Sequence, residues 1–461
     1  MALSTEKVTN KKRKIPFGFG ISWMALLALW LVYAMNANMR NFFFTVQPSI
    51  VKEFHLTPSA LGMFTAFVTL AQSVLVLPIS RWSDKGIHGW GRKFREVPIA
   101  IGYTIFSIFT GIGALTHSIF SVFILQAVKN MFGGAGESVE VTTVAEWWPV
   151  ERRGFAQGAH HTGYPWGTLI GGFAVSGILA TFGPQNWRLV FLILPLATLP
   201  ILVIYWVFST KRRYEKVSSQ FETYNLTSPL AGGFDKESTH RAPAGALKRA
   251  LKNPNVLVPA ICSGLGLAVY TGLGFWLTPY LAFVAHYNFA QAAAYSVIFT
   301  ITGGLGQIFW GFMSDKFGRK FVLIFCFLWL TAAMILLQFT RIDLAWLIFV
   351  QLFAGVATNG IYPVLYALSS DSAEKGSLAV GNGLNMVGQG IGGMSPLVLG
   401  PLIGLGGGFA SATGYVYGLY FLSGLMFIAA ILMAFFTRET IGKFKKADKA
   451  LVRVESCNIP K

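Results

Sequence analysis

Charge is scarce in this chain. Only 12% of its 461 residues are Asp, Glu, Lys or Arg, about half of what a soluble globular protein carries. Acid is scarcer still, with 19 Asp and Glu against 37 Lys and Arg and a net charge of +18. Cysteine is nearly absent. Cys262, Cys326 and Cys457 have no spacing that suits a metal site, and none falls where an exterior disulfide could form. No nucleophile with its base, no metal-ligand cluster and no phosphate-cradling glycine loop stands out. An enzyme is therefore not expected, and neither is a cofactor.

What fills the chain is apolar sequence, at 54% of residues. Uninterrupted runs of about 20 residues recur throughout, the length that crosses a bilayer as a helix. The pattern predicts an all-α membrane protein with twelve transmembrane helices, near 19–47, 57–80, 97–117, 119–147, 154–182, 187–208, 255–284, 289–313, 321–339, 343–369, 377–405 and 413–436. The basic residues divide unevenly among the loops. One side holds Lys11 to Lys14, the 81–95 group, Arg152, Arg153, the 211–252 linker, Lys316 to Lys320, Lys375 and the tail after Arg438. The other holds Lys52, Arg188 and Arg341. The positive-inside rule then places both termini in the cytoplasm of a cell inner (plasma) membrane protein. The basic excess points to anionic lipid headgroups rather than nucleic acid. The apolar stretch after the basic start is too long for a cleavable signal.

Hydropathy collapses between Phe208 and Asn255. The chain thus divides into a six-helix bundle (1–208), a cytoplasmic linker (209–254), a second six-helix bundle (255–437) and a tail (438–461). Two repeats support the duplication. "SRWSDKGIHGWGRK" (80–93) and "GFMSDKFGRK" (311–320) each fall between the second and third spans of a half. "ERRGFAQGAHHTGYPWGTLIGG" (151–172) and "AEKGSLAVGNGLNMVGQGIGG" (373–393) each carry an acid–base pair and a Gly before a Gly-punctuated helix. Duplicated bundles with small residues at their contacts are the mark of a rocking transporter, with substrate bound near the midplane. In the charged loops, Asp84, Arg92, Asp315 and Arg319 have the chemistry of a clasp that holds one of two states.

"GFMSDKFGRK" resembles the signature loop of the major facilitator superfamily, and the resemblance covers the whole chain. The first-half copy departs from it, with Ser80 for the leading Gly and about four extra residues before Gly91. "RNFFFTVQP" in the first span, "WWPVERRG" after the fourth and "FWLTPYL" in the seventh resemble the anion:cation symporter branch. Its members import sugar acids and other carboxylates with protons or sodium ions. The same motifs resemble organophosphate:phosphate antiporters, which carry a second Arg in the seventh span where this chain has Tyr270. The resemblance implies an anion-binding role for Arg40 and substrate-facing positions at Tyr164, Tyr270, Trp276 and Asn385. Counted back from "WWP", it puts the family's coupling Glu at Gly133, one turn from Glu137.

A charge inside a span costs several kcal/mol unless paired, so each such group is a functional candidate. They are Arg40, Lys129, Glu137 and Glu140, with Glu146 near a span end, and all lie in the first half. Arg40, beside Asn36, Asn38 and Asn41, can fork onto a carboxylate. It can equally serve as structural partner to an acid of the fourth span. Glu137 and Glu140, three apart, share a helix face and do not both ionise cheaply there, which suits a proton carrier. Lys129 could neutralise them. His160 and His161 are further titratable candidates for proton transfer. The second half offers aromatic rings and amides instead: Tyr270, Trp276, Gln307, Gln351, Asn359, Tyr362, Tyr366, Asn382, Asn385 and Gln389.

The expectation from the sequence is a monomeric, proton-coupled importer of a small organic anion working by alternating access. Three alternatives stay open. The solute could be cationic or zwitterionic, met by the two Glu. It could be phosphorylated or sulfonated. Or the chain could be a membrane sensor with a transporter fold.

Overall fold

The computed structural model describes residues 16–84, 89–149, 152–228, 245–341, 343–373 and 378–440. All regular structure in them is helical. Ten helices are long and apolar enough to cross a membrane. The other two expected spans are present in altered form. The second is broken into Pro58–Ala71 and Val76–Asp84. The third, Lys93–Gly111, starts about a turn earlier than its apolar run and so brings Lys93, Arg95 and Glu96 onto the helix. Many large apolar side chains point outward, among them Phe312, Ile391, Leu405 and Phe435. Such a surface suits hydrocarbon rather than water.

Several spans are interrupted, and proline accounts for most of the breaks; the one at 296–298 in the eighth span has none nearby. A proline removes one helix donor and collides with the carbonyl four residues back. Pro78 follows the break at Gln72–Leu75, Pro165 the break at Thr162, and Pro363 the break at Asn359–Gly360. Pro48 and Pro396 open the second segments of the first and eleventh spans. Freed backbone groups at membrane depth are tolerated only where other protein groups or a cavity meet them. At Thr162 the hydroxyl takes the Trp30 indole N–H, and Gly360 packs on Gly306 and Trp310, so these two breaks are met by neighbouring spans of the same half.

The first half packs its first span (Gly20–Thr45) on the fifth (Gly163–Phe182), and its third span on the fourth (Ile119–Glu146). The second half repeats the scheme, with the seventh span (Pro254–Phe283) on the eleventh (Leu378–Gly392). The linker helix Lys211–Thr223 lies on the first half, burying Tyr214, Val217 and Phe221 in a cluster with Phe19 and Trp147. The halves meet most closely at the end away from this linker. There the second span packs on Pro396–Leu405 and the fifth packs on the start of the eighth (Phe289–Tyr295). The closest approach is glycine on glycine. A Cβ added to Gly62 would lie 2.2 Å from the Pro396 carbonyl oxygen and 3.0 Å from the Gly400 Cα.

At that same end Arg188 forks onto Glu53, with Nη2 to Oε1 at 2.6 Å and Nη1 to Oε2 at 2.8 Å. The Trp187 indole donates to the same carboxylate. One of the few basic residues on this side thus has a fixed structural partner within the first half.

Candidate functional site

The interior charges of the first half converge on Arg40. Its Nη2 lies 2.9 Å from Glu137 Oε2 and donates to the Gly133 carbonyl at 2.6 Å. Its Nε donates to Asn36 Oδ1 at 2.9 Å. Gly133 occupies the position where the sequence motifs would place a Glu. There it offers a carbonyl in place of a carboxylate, and a Cβ on it would crowd Arg40 Nε at 3.2 Å. Glu137, one turn on, supplies the charge instead. The pairing that the sequence left as an alternative is thus present, and its setting is not that of a sealed core pair. The Glu137 side chain keeps 27% of its surface exposed, against 9% for Arg40.

Around this pair stands a ring of aromatics. Tyr33 donates to Glu137 Oε1 at 3.0 Å and stacks on the His160 ring at 4.6 Å. The Tyr164 ring lies 5.8 Å from the Arg40 guanidinium and 5.7 Å from Tyr270, the first contribution from the second half. Tyr362 and Tyr366 on Ile361–Ser372 lie within electrostatic reach of Tyr164 and Glu137 respectively. The Gln389 amide ties Tyr366 to Ser263. A cation and a carboxylate, lined by phenols from both halves, therefore sit at the seam of the molecule.

Not every expected residue joins this cluster. Trp276 is fully buried, donates to the Tyr415 carbonyl at 2.8 Å and stacks on Tyr280 at 4.4 Å. It packs the seventh span on the twelfth (Ala412–Phe436). Asn385 is fully buried one turn before Gln389. His161 Nδ1 donates to the Gln157 carbonyl at 2.9 Å and sits edge-on to Tyr33 at 5.9 Å, while His160 is fully buried. Gln351 bonds the Tyr295 carbonyl. The side chain of Asn382 lies outside the described residues.

One sequence expectation about the fourth span needs correction. Lys129 does not neutralise the glutamates. Its Nζ donates to the Met39 carbonyl at 2.7 Å and faces the rings of Phe42, Tyr103 and Phe191. Eight and eleven residues separate it from the two acids, which carries it two to three turns along the helix. Glu137 and Glu140 stay within electrostatic reach of one another on one helix, but each has its own partners on neighbouring helices. Glu137 is taken by Arg40 and Tyr33. Glu140 is 1% exposed, receives Asn36 Nδ2 at 3.5 Å and faces the carboxyl of Glu96, which is fully buried. Glu96 is the residue that reading the sequence missed. It looked like one more charge in a basic loop. Its signal was the apolar run Val97–Ala100 directly after it and Tyr103 seven residues on, on the same helix face.

The charged loops form two unlike clasps. In the first half Arg92 forks onto Glu146, Nη2 to Oε1 at 2.7 Å and Nε to Oε2 at 2.8 Å, and both are almost fully buried. Gly89 N–H and Ser83 complete it. The side chain of Asp84 lies outside the described residues. In the second half Arg319 Nη1 meets Asp315 Oδ1 at 2.5 Å and Ser314 Oγ at 2.6 Å, and Nε reaches Asp371 at 3.4 Å. Asp315 there is 63% exposed.

The chain has relatives among known proteins. Over 441 residues the chain is 23% identical to a phosphoglycerate transporter protein of Salmonella typhimurium, covering 91% of this chain and 90% of that one. It is 23% identical over 384 residues to the mouse glucose-6-phosphate exchanger SLC37A2, covering 76% and 75%. With a probable sulfoacetate transporter of Cupriavidus necator, SauU, it shares 26% identity over 318 residues, 67% of each chain. Among solved structures, an inward-facing bacterial homologue of the human lysosomal transporter Spinster superposes with a TM-score of 0.68 at 18% identity, over 90% of this chain and 97% of that one. The xylose transporter XylE of Escherichia coli, in a partially occluded inward-open form, gives 0.65 at 15% identity, over 91% and 99%. The family profile itself matches residues 29–303 and 286–454. The chain belongs to the Major Facilitator Superfamily, and is a transporter rather than an enzyme.

Proposed function

We propose that this protein is a secondary active transporter that imports a small organic anion together with protons by alternating access. The observation that carries the reading is the Arg40–Glu137 pair, part-exposed at the seam between the halves. Enclosing a pair costs desolvation that only complete hydrogen bonding repays. One left part-exposed at the seam is a place where an incoming carboxylate, sulfonate or phosphate can replace the internal carboxylate on the guanidinium. Tyr33, Tyr164, Tyr270, Tyr362 and Tyr366 then offer hydroxyls and ring faces for the rest of the solute. Trp276 and Asn385 act in this reading by holding the seventh and eleventh spans rather than by touching the anion.

Packing supports assigning this structure to the inward-facing state. The halves close against one another at the end away from the linker. By the distribution of basic loops, that end faces the exterior of the plasma (inner) membrane. Protons, rather than sodium ions, are favoured by the neighbouring acids and His160 and His161. Asp84, Arg92, Asp315 and Arg319 then serve the cytoplasmic gate. The duplicated halves, 1–208 and 255–437, are the two rocking bodies, joined by 209–254.

A second reading, exchange of phosphorylated solutes, is favoured by relatives named for glucose 6-phosphate and phosphoglycerate. Tyr270 weighs against it, since it stands where the phosphate antiporters carry their second Arg. The test is a thermal-shift screen of the purified protein against carboxylates, sulfonates, sugar phosphates and betaines. Uptake of each stabilising solute into proteoliposomes follows, with and without a pH gradient. Stabilisation by betaines alone refutes the anion reading. Uptake that only a trapped counter-solute supports, and no pH gradient drives, moves the protein to the exchange reading.

A further inference from the structure

Behind Arg40 lies a second acidic site that the anion reading does not use. Glu96 on the third span and Glu140 on the fourth face one another within hydrogen-bonding reach. Both are enclosed: Glu96 has no exposed surface and Glu140 has 1%. Among the described residues, no N–H or O–H of another side chain or backbone group reaches either oxygen of Glu96 or Oε2 of Glu140. The titratable groups facing the pair are Tyr33 and Arg40 on the first span, Tyr103 on the third, Glu137 on the fourth, and Tyr205 on the sixth. Of these, the cation Arg40 is held by Glu137 and Asn36. The two carboxyls share a cavity of about 10 Å³ with Asn36, Tyr103 and Thr198, enough for a single water.

Among the protein's own groups, hydrogen-bond accounting favours one state of the pair. Two bare carboxylates in contact in an apolar interior repel strongly, and neither can donate. A carboxylic acid facing a carboxylate supplies the missing donor and leaves one negative charge instead of two. We propose that Glu96 and Glu140 hold one proton between them as the proton-binding site of this transporter, linked to the anion site through Asn36. This deepens the proton-coupled reading above and rests on it. Asn36 Oδ1 accepts from Arg40 Nε at 2.9 Å while its Nδ2 points to Glu140 Oε1 at 3.5 Å and to the Gly133 carbonyl at 3.0 Å. One amide thus touches both sites. An anion that draws Arg40 away from Glu137 also moves the acceptor side of Asn36, and with it the one donor offered to Glu140. In this division Glu137 is the counter-ion that substrate displaces, and the Glu96–Glu140 pair carries the proton.

The test has one arm without substrate and one with it. Infrared difference spectra of the detergent-purified protein, exchanged between light and heavy water, read carboxylic-acid C=O stretches directly. Wild type should show a buried carboxylic-acid band near neutral pH. Glu96→Gln and Glu140→Gln should each shift or remove it, because each changes the partner of the shared proton, whereas Glu137→Gln should leave it. A band identical to wild type in either of the first two variants overturns the shared site. In proteoliposomes, with sulfoacetate as the probe, both variants should keep exchange against internal sulfoacetate and lose accumulation driven by a pH gradient. Glu96→Asp, which keeps the acid, should retain part of the accumulation and serves as the folding control. Undiminished accumulation by Glu96→Gln also overturns the proposal. If wild type itself exchanges sulfoacetate but never concentrates it under a pH gradient, the wider proton-coupled reading fails for this anion. The infrared arm then decides the pair alone.

Discussion

At the scale of single residues, the proposed function turns on how one guanidinium is shared. Arg40 divides its donors among Asn36, the Gly133 carbonyl and Glu137. Lysine has no planar fork and cannot reach all three from one position. Arg40→Lys should therefore weaken binding of the best anion from the thermal-shift screen at least about tenfold, about 1.4 kcal/mol. Isothermal titration of a well-folded variant checks this, and near-native affinity would remove Arg40 from the site. Glu137→Gln has the opposite sign. It withdraws the internal competitor for Arg40, so the same titration should give tighter anion binding, by about tenfold. Unchanged or weaker binding would mean that Glu137 helps to build the site rather than competing for it. Arg40 and Glu137 were both legible in the sequence, because an isolated charge in an apolar run is conspicuous. Glu96 was not, because it stands at the charged start of its helix, where hydropathy cannot separate a loop acid from a buried one.

Among elements, the repeated charged loop teaches a similar lesson. Its presence in both halves was plain from the sequence, and so was the division into two bundles. That the copies differ in kind was not, since it depends on the partner each Arg finds. Arg92 and Glu146 are enclosed together, so removing one leaves the other buried and uncompensated, at a cost of about 3–5 kcal/mol. Glu146→Gln should lower the melting temperature of the purified protein clearly. Asp315 is 63% exposed, and a surface pair of this sort contributes only about 0–1 kcal/mol. Asp315→Asn should leave the melting temperature nearly unchanged and act on the conformational balance instead. The pair seen here lies within the second half; on the proposed gate role Asp315 meets the facing half only when the linker end closes, so losing its carboxylate should favour the open state and raise cysteine labelling of positions lining that end. Equal labelling in wild type and variant would argue against a gate role, and a large loss of stability would make this loop structural like its counterpart. The helix breaks were less legible still. Each proline was visible, but Pro259 and Pro279 sit inside an unbroken seventh span, so proline alone does not announce an interruption. Packing of the neighbouring spans decides which one becomes a break.

For the whole molecule, alternating access requires that the two ends never open together, and this places a demand on the closed end. Here that end is sealed where Gly62 meets Pro396 and Gly400. Two helices this close gain from van der Waals contact along bare backbone, the usual source of helix affinity in a membrane. The same closeness makes the seal intolerant of any side chain. Gly62→Val puts its Cβ 2.2 Å from a backbone oxygen, which no rotamer change can relieve. The first half packs independently of this contact, so the variant should fold. It should be unable to close the far end, and its population should move to the state opened away from the linker. Spin labels on the loops at 55–57 and 406–411 report the separation of that end by pulsed electron resonance. The long-distance component should grow in Gly62→Val, while labels on the linker-side ends of the fourth and tenth spans should draw together. Net transport should fall even though Arg40 and the Glu96–Glu140 pair are untouched, because only one of the two states remains accessible. Distances at both ends identical to wild type, with transport intact, would show that the seal is not the element that the cycle opens and closes. An anion bound at Arg40 should partly restore the distribution in the variant only if it binds the linker-open state more tightly, since a ligand shifts an equilibrium by no more than its difference in affinity. Comparing the distances with and without the anion therefore measures which state the Arg40 site prefers.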